Sequence, residues 1–303
     1  MQKIKWVLFH TPEELFIRTA KHFEAEVNKL SNNKFEFDIL TLDDYQNKYN
    51  EGRPCDLFAD LRNGKIHMSQ MYIFSLAFSN ATDFLALGLP FLFKDHDHAS
   101  RVFESKVGED LLTHLKDTLQ IKGLSFTYSG GYKVMASDSP INCVDDFQKL
   151  TYAKSGNGLW TDMFQALGAK ESSDFKKANF RQTTLPRYHA DAANHQRFCT
   201  DTQHSMYLTT ILMNDNLWTN FDSDTKEIFK YAAKVTAKAE RVQSVADGEK
   251  IASSPAIYNQ HGIDQMLYFS DEEQNRLKET LSPLINKWKP YFSQGLVDRI
   301  QAA

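Results

Sequence analysis

Ile4, Trp6 and Leu8 alternate with Lys3, Lys5 and Val7, the period expected of a first strand. Thr11, Pro12 and Glu13 then read as a helix start: a cap, a proline at the first position and an acid. The helix runs to about Leu30 with Phe16, Phe23 and Val27 on one face, and Asn32 and Asn33 end it. Alternation returns over 35–40, so the chain opens as strand, helix, strand, at the length of a βαβ unit. A short helix over 56–62, stopped by Asn63 and Gly64, leads into a strand over 65–72 and an apolar run to Phe78. Helix, stop and strand again predict an α/β sheet. Helices are expected from Phe93 and from Val107.

Residues 123–169 organise the rest of the chain. A strand over 123–128 is broken at Ser129, Gly130 and Gly131, and a second follows over 132–137. A polar connector leads to a third short strand over 150–153. The turn 155–158 opens an amphipathic helix over 159–167, which Gly168 stops. We read this stretch as the crossing point between two lobes and one wall of a ligand cleft. Residues 170–205 are polar and irregular, and 206–213 form another strand. From Lys226 to about Ile257 the pattern is helical, with no glycine until Gly248 and no proline until Pro255, long enough to span both lobes. A late strand over 263–268 precedes a helix capped by Ser270 and a helical tail over 284–300, interrupted at Pro290.

Composition narrows the function classes. The 303 residues suffice for one large or two medium domains. Thirty-five basic against 39 acidic residues leave a net charge of −4, and no basic run or aromatic–basic motif argues for nucleic acid. An aromatic content of 13% fits a rich core and an aromatic-walled cleft. No apolar run has the length of a membrane span. The chain enters directly into a strand at Lys3, which fits a cytoplasmic protein and equally an exported one whose signal peptide has been removed. Cys55, Cys143 and Cys199 are too few and too far apart for a disulfide framework or a metal pattern.

Catalytic signatures are lacking: there is no nucleophile elbow, zinc-protease helix, phosphate loop or dinucleotide fingerprint, so no enzyme and no cofactor are expected. His96, Asp97 and His98 are adjacent at a helix start and do not converge on one ion, and His189 and His195 have the same problem.

An ordered set of short matches remains. It includes Leu61 to Met68, Leu89 to Phe93 with Asp95 to Ala99, Val107 with Gly108, and Gly123 with Tyr128. It continues through Pro140 and Ile141, Asp145 to Phe147, Ala166 to Ala169, Leu185 with Pro186, and Trp218 with Asp222 to Lys226. In order and spacing the chain resembles the substrate-binding proteins of tripartite ATP-independent periplasmic (TRAP) transporters. The resemblance implies an α/β, two-lobe periplasmic-binding-protein fold with a ligand cleft between the lobes and a long helix spanning both. The expected lobes are 1–127 with 208–250, and 128–207 with 251–303, hinged near 124–130 and 206–213. It implies a monomeric periplasmic receptor that closes on a small ligand, by default an organic acid, and delivers it to integral-membrane transporter subunits.

The resemblance also implies where the ligand would sit. The position of a carboxylate-gripping arginine holds Ala153, with Lys154 beside it; a second arginine position holds Lys133, and an asparagine position holds Thr183. Lysine offers a point charge rather than arginine's planar fork. Candidate ligand residues are His10, Gln70 and Tyr72 from the first lobe and Tyr128 at the hinge. From the second they are Lys133, Tyr152, Lys154, Asn157, Arg181, Thr183 and Arg187. Each has an ordinary structural alternative: a capping or core histidine at 10, a plain turn at 155–158, solvated loop arginines at 181 and 187. The absent arginine keeps a less acidic or apolar ligand open, as well as a ligand-sensing or interaction module on the same fold.

Overall fold

The computed structural model describes residues 1–10, 13–188 and 196–303. Thr11 and Pro12 of the predicted helix start, and His189 and His195, lie outside the described residues. The strands are β1 (Gln2–Leu8), β2 (Phe35–Thr41), β3 (Met68–Tyr72), β4 (Ile121–Tyr132), β5 (Val134–Ser137) and β6 (Thr151–Ala153). They continue with β7 (Lys170–Ser172), β8 (Phe180–Thr183), β9 (Phe198–Asp201), β10 (Met206–Asn214) and β11 (Gln265–Tyr268). The chain divides into two compact units: Met1–Phe84, Ser100–Tyr128 and Leu208–Gln243 form the first, and Leu85–Ala99, Ser129–Tyr207 and Ser244–Ala303 the second.

In the first unit a five-stranded sheet has the order β2-β1-β3-β10-β4. β1 pairs in parallel with β2 and β3, as the opening strand–helix–strand pattern requires, and β10 runs antiparallel to β3. Trp6 and Phe23 meet edge to face at 5.3 Å, and Phe229 packs on Phe23 and Phe35 at 5.5 and 5.0 Å. These rings are buried in one apolar cluster with Phe16, Met68 and Ile211. Each such ring contributes roughly 1.5–3 kcal/mol by leaving water.

The second unit has a four-stranded sheet, β11-β9-β5-β8, and a parallel pair, β6-β7. Its core joins Phe147, Tyr152, Phe164 and Phe180 to Leu277, Leu281 and Leu284 of the C-terminal helices. A second cluster gathers Val134, Leu185, Cys199, Ile251 and Ile263.

Several expectations are corrected. The predicted break at Ser129–Gly131 is not a break: β4 continues through both glycines, at φ 91 and 73. A Cβ on Gly130 would stand 2.5 Å from Thr184 Oγ1, so this strand accepts only glycine there. The long helix is Ser223–Ala252 and stops five residues short of Ile257, because Pro255 bars its continuation and opens a separate turn, Pro255–Tyr258. The irregular region 170–205 contains β7, β8 and β9, each only three or four residues long. A helix over Leu42–Tyr49 was not expected; a capping box between Thr41 and Asp44 starts it. The compact units also differ from the expected lobes: Leu85–Ala99 groups with the second unit, as does the helix from Ser244 onward. Phe91 N donates to His204 O at 2.7 Å, and Gly130 N donates to Ser244 Oγ at 2.6 Å.

Candidate functional site

The candidate residues divide between the units, His10, Gln70, Tyr72 and Tyr128 in the first and the other seven in the second. In the first unit β1 and β3 lie side by side, which brings His10 against Tyr72. His10 Nε2 accepts the Tyr72 backbone N–H at 2.8 Å, so this ring is a neutral acceptor. Gln70 is fully buried on β3, where its Nε2 donates to Thr127 Oγ1 at 2.8 Å and Thr209 Oγ1 at 3.1 Å. Its Oε1 is buried with no hydrogen-bond partner among the described residues. Tyr128 donates its backbone N–H to Glu240 Oε2 at 2.7 Å.

In the second unit a pocket of about 230 Å³ gathers Tyr152, Lys154 and Arg181 of the candidates, together with Ala153. Its apolar wall is aromatic: besides Tyr152 it has Trp160, Phe164, Phe175 and Phe180. Phe164 lies 4.9 Å from both Tyr152 and Phe180. The polar wall has Gln182 and Gln196, whose Nε2 and Oε1, respectively, are buried without partners among the described residues. Lys154 and Arg181 are the charged residues among its described lining residues, which include no carboxylate. A cavity whose described lining has two cations and spare amide groups suits a small anion.

The cations differ in standing. Lys154 is an exposed side chain, 3.9 Å from Glu171, and is partly neutralised there. Arg181 lies over the Tyr188 ring at 5.6 Å, which fixes its approach to the pocket. Lys133 is buried to 1% exposure and sits 5.4 Å over the ring of Trp160. Burial pushes its ammonium down to about 7. Close by, His204 is buried between Thr202 Oγ1 at 2.7 Å and Gln182 Oε1 at 3.1 Å. The Gln182 carbonyl can only accept, so His204 Nε2 carries the proton and the hydroxyl of Thr202 donates to Nδ1. Burial, and then the charge of Lys133, hold His204 down to about 3.

The remaining candidates have structural duties. Asn157 caps the helix Gly158–Ala166, its Oδ1 accepting from Leu159 N at 3.0 Å and Trp160 N at 3.3 Å. Thr183 is buried at the end of β8 opposite Val134. Arg187 stacks on Tyr207 at 4.5 Å. Trp160, Phe175, Phe180, Gln182, Gln196 and His204 were not foreseen. Trp160 and Phe164, four apart on one short helix, were the legible sign of a shared face.

A larger pocket of about 430 Å³ in the same unit is lined by His96, Gly130, Gly131, Tyr132, Asp201 and Glu249, among others. Two carboxylates there repel an anion, and burial raises the Asp201 carboxyl. We therefore take the smaller, cationic pocket as the candidate site.

Residues 9–173 and 184–290 match the bacterial extracellular solute-binding proteins, family 7 (DctP). The chain belongs to this family. Family 7 is a family of TRAP-type solute-binding proteins, not of enzymes, and its members are periplasmic. No helix of the described residues is long and apolar enough to cross a membrane. Within family 7 the chain is 23% identical over 233 residues to the sialic acid-binding periplasmic protein SiaP of Vibrio cholerae, covering 72% of this chain and 68% of the relative. Its fold matches a TRAP periplasmic solute-binding protein from Ochrobactrum anthropi, whose C-terminus is bound in the ligand-binding pocket, with a TM-score of 0.83, 20% identity, and 99% and 94% of the two chains covered. A second match is the Haemophilus influenzae protein with bound L-gulonate, at a TM-score of 0.82, 18% identity, and 100% and 99% coverage. The α/β two-lobe fold of these TRAP proteins is thus the fold of this chain. Against that family background, Ala153 in the pocket wall is where the resemblance puts an arginine, and Arg181 on β8 brings a guanidinium to the same pocket.

Proposed function

We propose that this family 7 protein is the receptor of a TRAP-type transporter that takes a small organic anion into the Arg181 pocket of its second unit. It acts in the periplasm as a monomer, after a leader peptide is removed on export, and passes its ligand to integral-membrane permease subunits. Binding proceeds by hinge closure, a shift of population toward the conformation with the larger set of ligand contacts. The observation that carries this reading is the lining of the pocket, with Lys154 and Arg181 and no carboxylate among the described residues. The named acids of the relatives, sialic acid and L-gulonate, point the same way.

A thermal-shift screen with organic anions tests the reading. A ligand at a hundred times its Kd adds about 2.7 kcal/mol to stability, a readily measured rise in Tm. The response should disappear in Arg181→Gln. A screen in which only neutral or cationic compounds raise Tm would overturn the reading.

A further inference from the structure

The larger pocket of the second unit, about 430 Å³, shares no lining residue with the Arg181 pocket and has the opposite charge. Asp201 and Glu249 line it, and among the described residues no lysine or arginine does. Tyr132, Tyr268 and His96 supply rings, and Val134, Leu185, Val245 and Ala252 supply apolar surface. We infer that this pocket is a second binding site, which takes a small protonated amine carried on an apolar body.

Separate elements deliver these groups to one place. Asp201 ends β9 and Tyr268 ends β11, and the two are register partners in that parallel pair. Tyr132 ends β4, and its ring lies 4.5 Å from that of His96, which starts the helix His96–Glu104. Glu249 stands exposed in the last turn of the helix Ser223–Ala252. A Cβ on Gly131 would stand 3.3 Å from His96 Cε1 and 3.4 Å from Val245 Cγ2, so glycine, at φ 73, keeps that space free.

Charge selects the occupant. Asp201 Oδ2 accepts from Gln203 Nε2 at a long 3.3 Å, and Oδ1 is buried with no hydrogen-bond partner among the described residues. Such a carboxylate has lost water without gaining a good donor, and burial raises it above the usual carboxylate range. An ammonium ion supplies both the charge and the donor. His96 does not supply that charge, because burial holds its imidazole below the usual range and so neutral. Ser253 Oγ donates to Lys250 O at 2.8 Å, which leaves the two phenol hydroxyls and Gln203 as the other polar side chains. A metal ion is a poorer occupant, since no three His, Cys, Asp or Glu side chains among the described residues could hold one. Ring faces attract an organic ammonium, and the apolar wall takes its body. The volume lies within the roughly 300–1,000 Å³ of small-molecule sites.

Isothermal titration of the whole protein near neutral pH with phenethylamine and cyclohexylamine, and with the neutral 2-phenylethanol and cyclohexanol, tests this site. At least one amine should bind one to one, and its alcohol counterpart should bind roughly tenfold more weakly or not at all. Asp201→Asn should weaken the amine by about tenfold or more and leave Tm without ligand at or above the wild-type value, since burial already disfavours the carboxylate. Glu249→Gln and Tyr268→Ala, both exposed side chains, should each weaken it about threefold at unchanged Tm, and they keep the test open if Asp201→Asn folds poorly. No amine binding, alcohols bound as tightly as amines, or amine affinity unchanged in these variants would overturn the site. Each of those results leaves the anion pocket of the same unit untouched.

Discussion

The Nζ of Lys133 stands 5.4 Å over the Trp160 ring, and the lysine is almost wholly buried. An ammonium in that position is stabilised by the ring face but loses its water, and its pKa falls to about 7 against 10.5 in the unfolded chain. Between these values the unfolded chain binds the extra proton. Stability from this group therefore grows as pH rises from 7 toward 10, by up to about 1.4 kcal/mol per pH unit, and is lost as pH falls to 7. Denaturant midpoints at pH 7, 8 and 9 should rise in the wild type relative to Lys133→Met. Parallel profiles for the two proteins would count against a buried neutral lysine.

His204 works on the acid side. Its folded value is about 3 and its unfolded value 6.5, so its contribution is present above pH 6.5 and is lost as pH falls toward 3. With Nε2–H given to Gln182, a second ring proton on Nδ1 requires the Thr202 hydroxyl to turn from donor to acceptor. Urea titrations between pH 6.5 and 4 should show a shallower loss of stability in His204→Gln than in the wild type. Gln182 should lose its orientation in the same variant, with weaker ligand binding.

Asn157 has a local role with a distant readout. Its cap bonds to Leu159 and Trp160 set the start of the helix that carries Trp160 into the pocket. Asn157→Ala should lower stability by about 1 kcal/mol, seen as a lower urea midpoint at unchanged m. Asn157→Asp should keep the cap and recover most of that loss. Ligand affinity should fall in the alanine variant and not in an Asn63→Ala control in the first unit.

Two glycines with positive φ separate backbone strain from steric clash. Gly156 has φ 72 and no atom within 4 Å of the point where a Cβ would stand, whereas Gly130 has φ 91 and Thr184 Oγ1 at 2.5 Å. Gly156→Ala should cost about 1 kcal/mol, from the backbone alone. Gly130→Ala should cost at least twice that and disturb the Thr184 hydroxyl bond to Ser129 O. Thermal unfolding of the two variants compares them directly.

Much of the fold was legible because its signals are long. The alternation at Ile4, Trp6 and Leu8 and the apolar stripe at Phe16, Phe23 and Val27 each repeat often enough to establish a period, and both elements are present. β7 to β9 were not legible, since three or four residues cannot show a period. Sheet neighbours such as Met135, Gln182 and Thr200 are distant in sequence and are joined only by register. Lys133 and Ala153 drew notice in the sequence because each stands where the resemblance puts an arginine; Ala153 lines the pocket and Lys133 is buried. The aromatic wall of the pocket was not legible, because Phe164 and Phe180 look like core residues and are core residues as well. Phe175 carried no signal at all, since exposure cannot be read from a single phenylalanine between polar neighbours.

The discontinuous units constrain the order in which this chain can fold. The first core needs Phe229, Ala232 and Ala233 beside Trp6 and Phe23, and the second needs Leu277, Leu281 and Leu284 beside Phe147. His98 accepts from Lys94 N and donates to Ile300 O at 2.9 Å, a contact across 202 positions of chain. A nascent chain cut anywhere before these late segments has partners missing from both cores, and such long-range closure is slow. Completion of the two cores thus waits for the segments from Phe229 and from Leu277 onward. For a protein of a periplasmic family, that delay keeps the chain threadable until the last helices have been made.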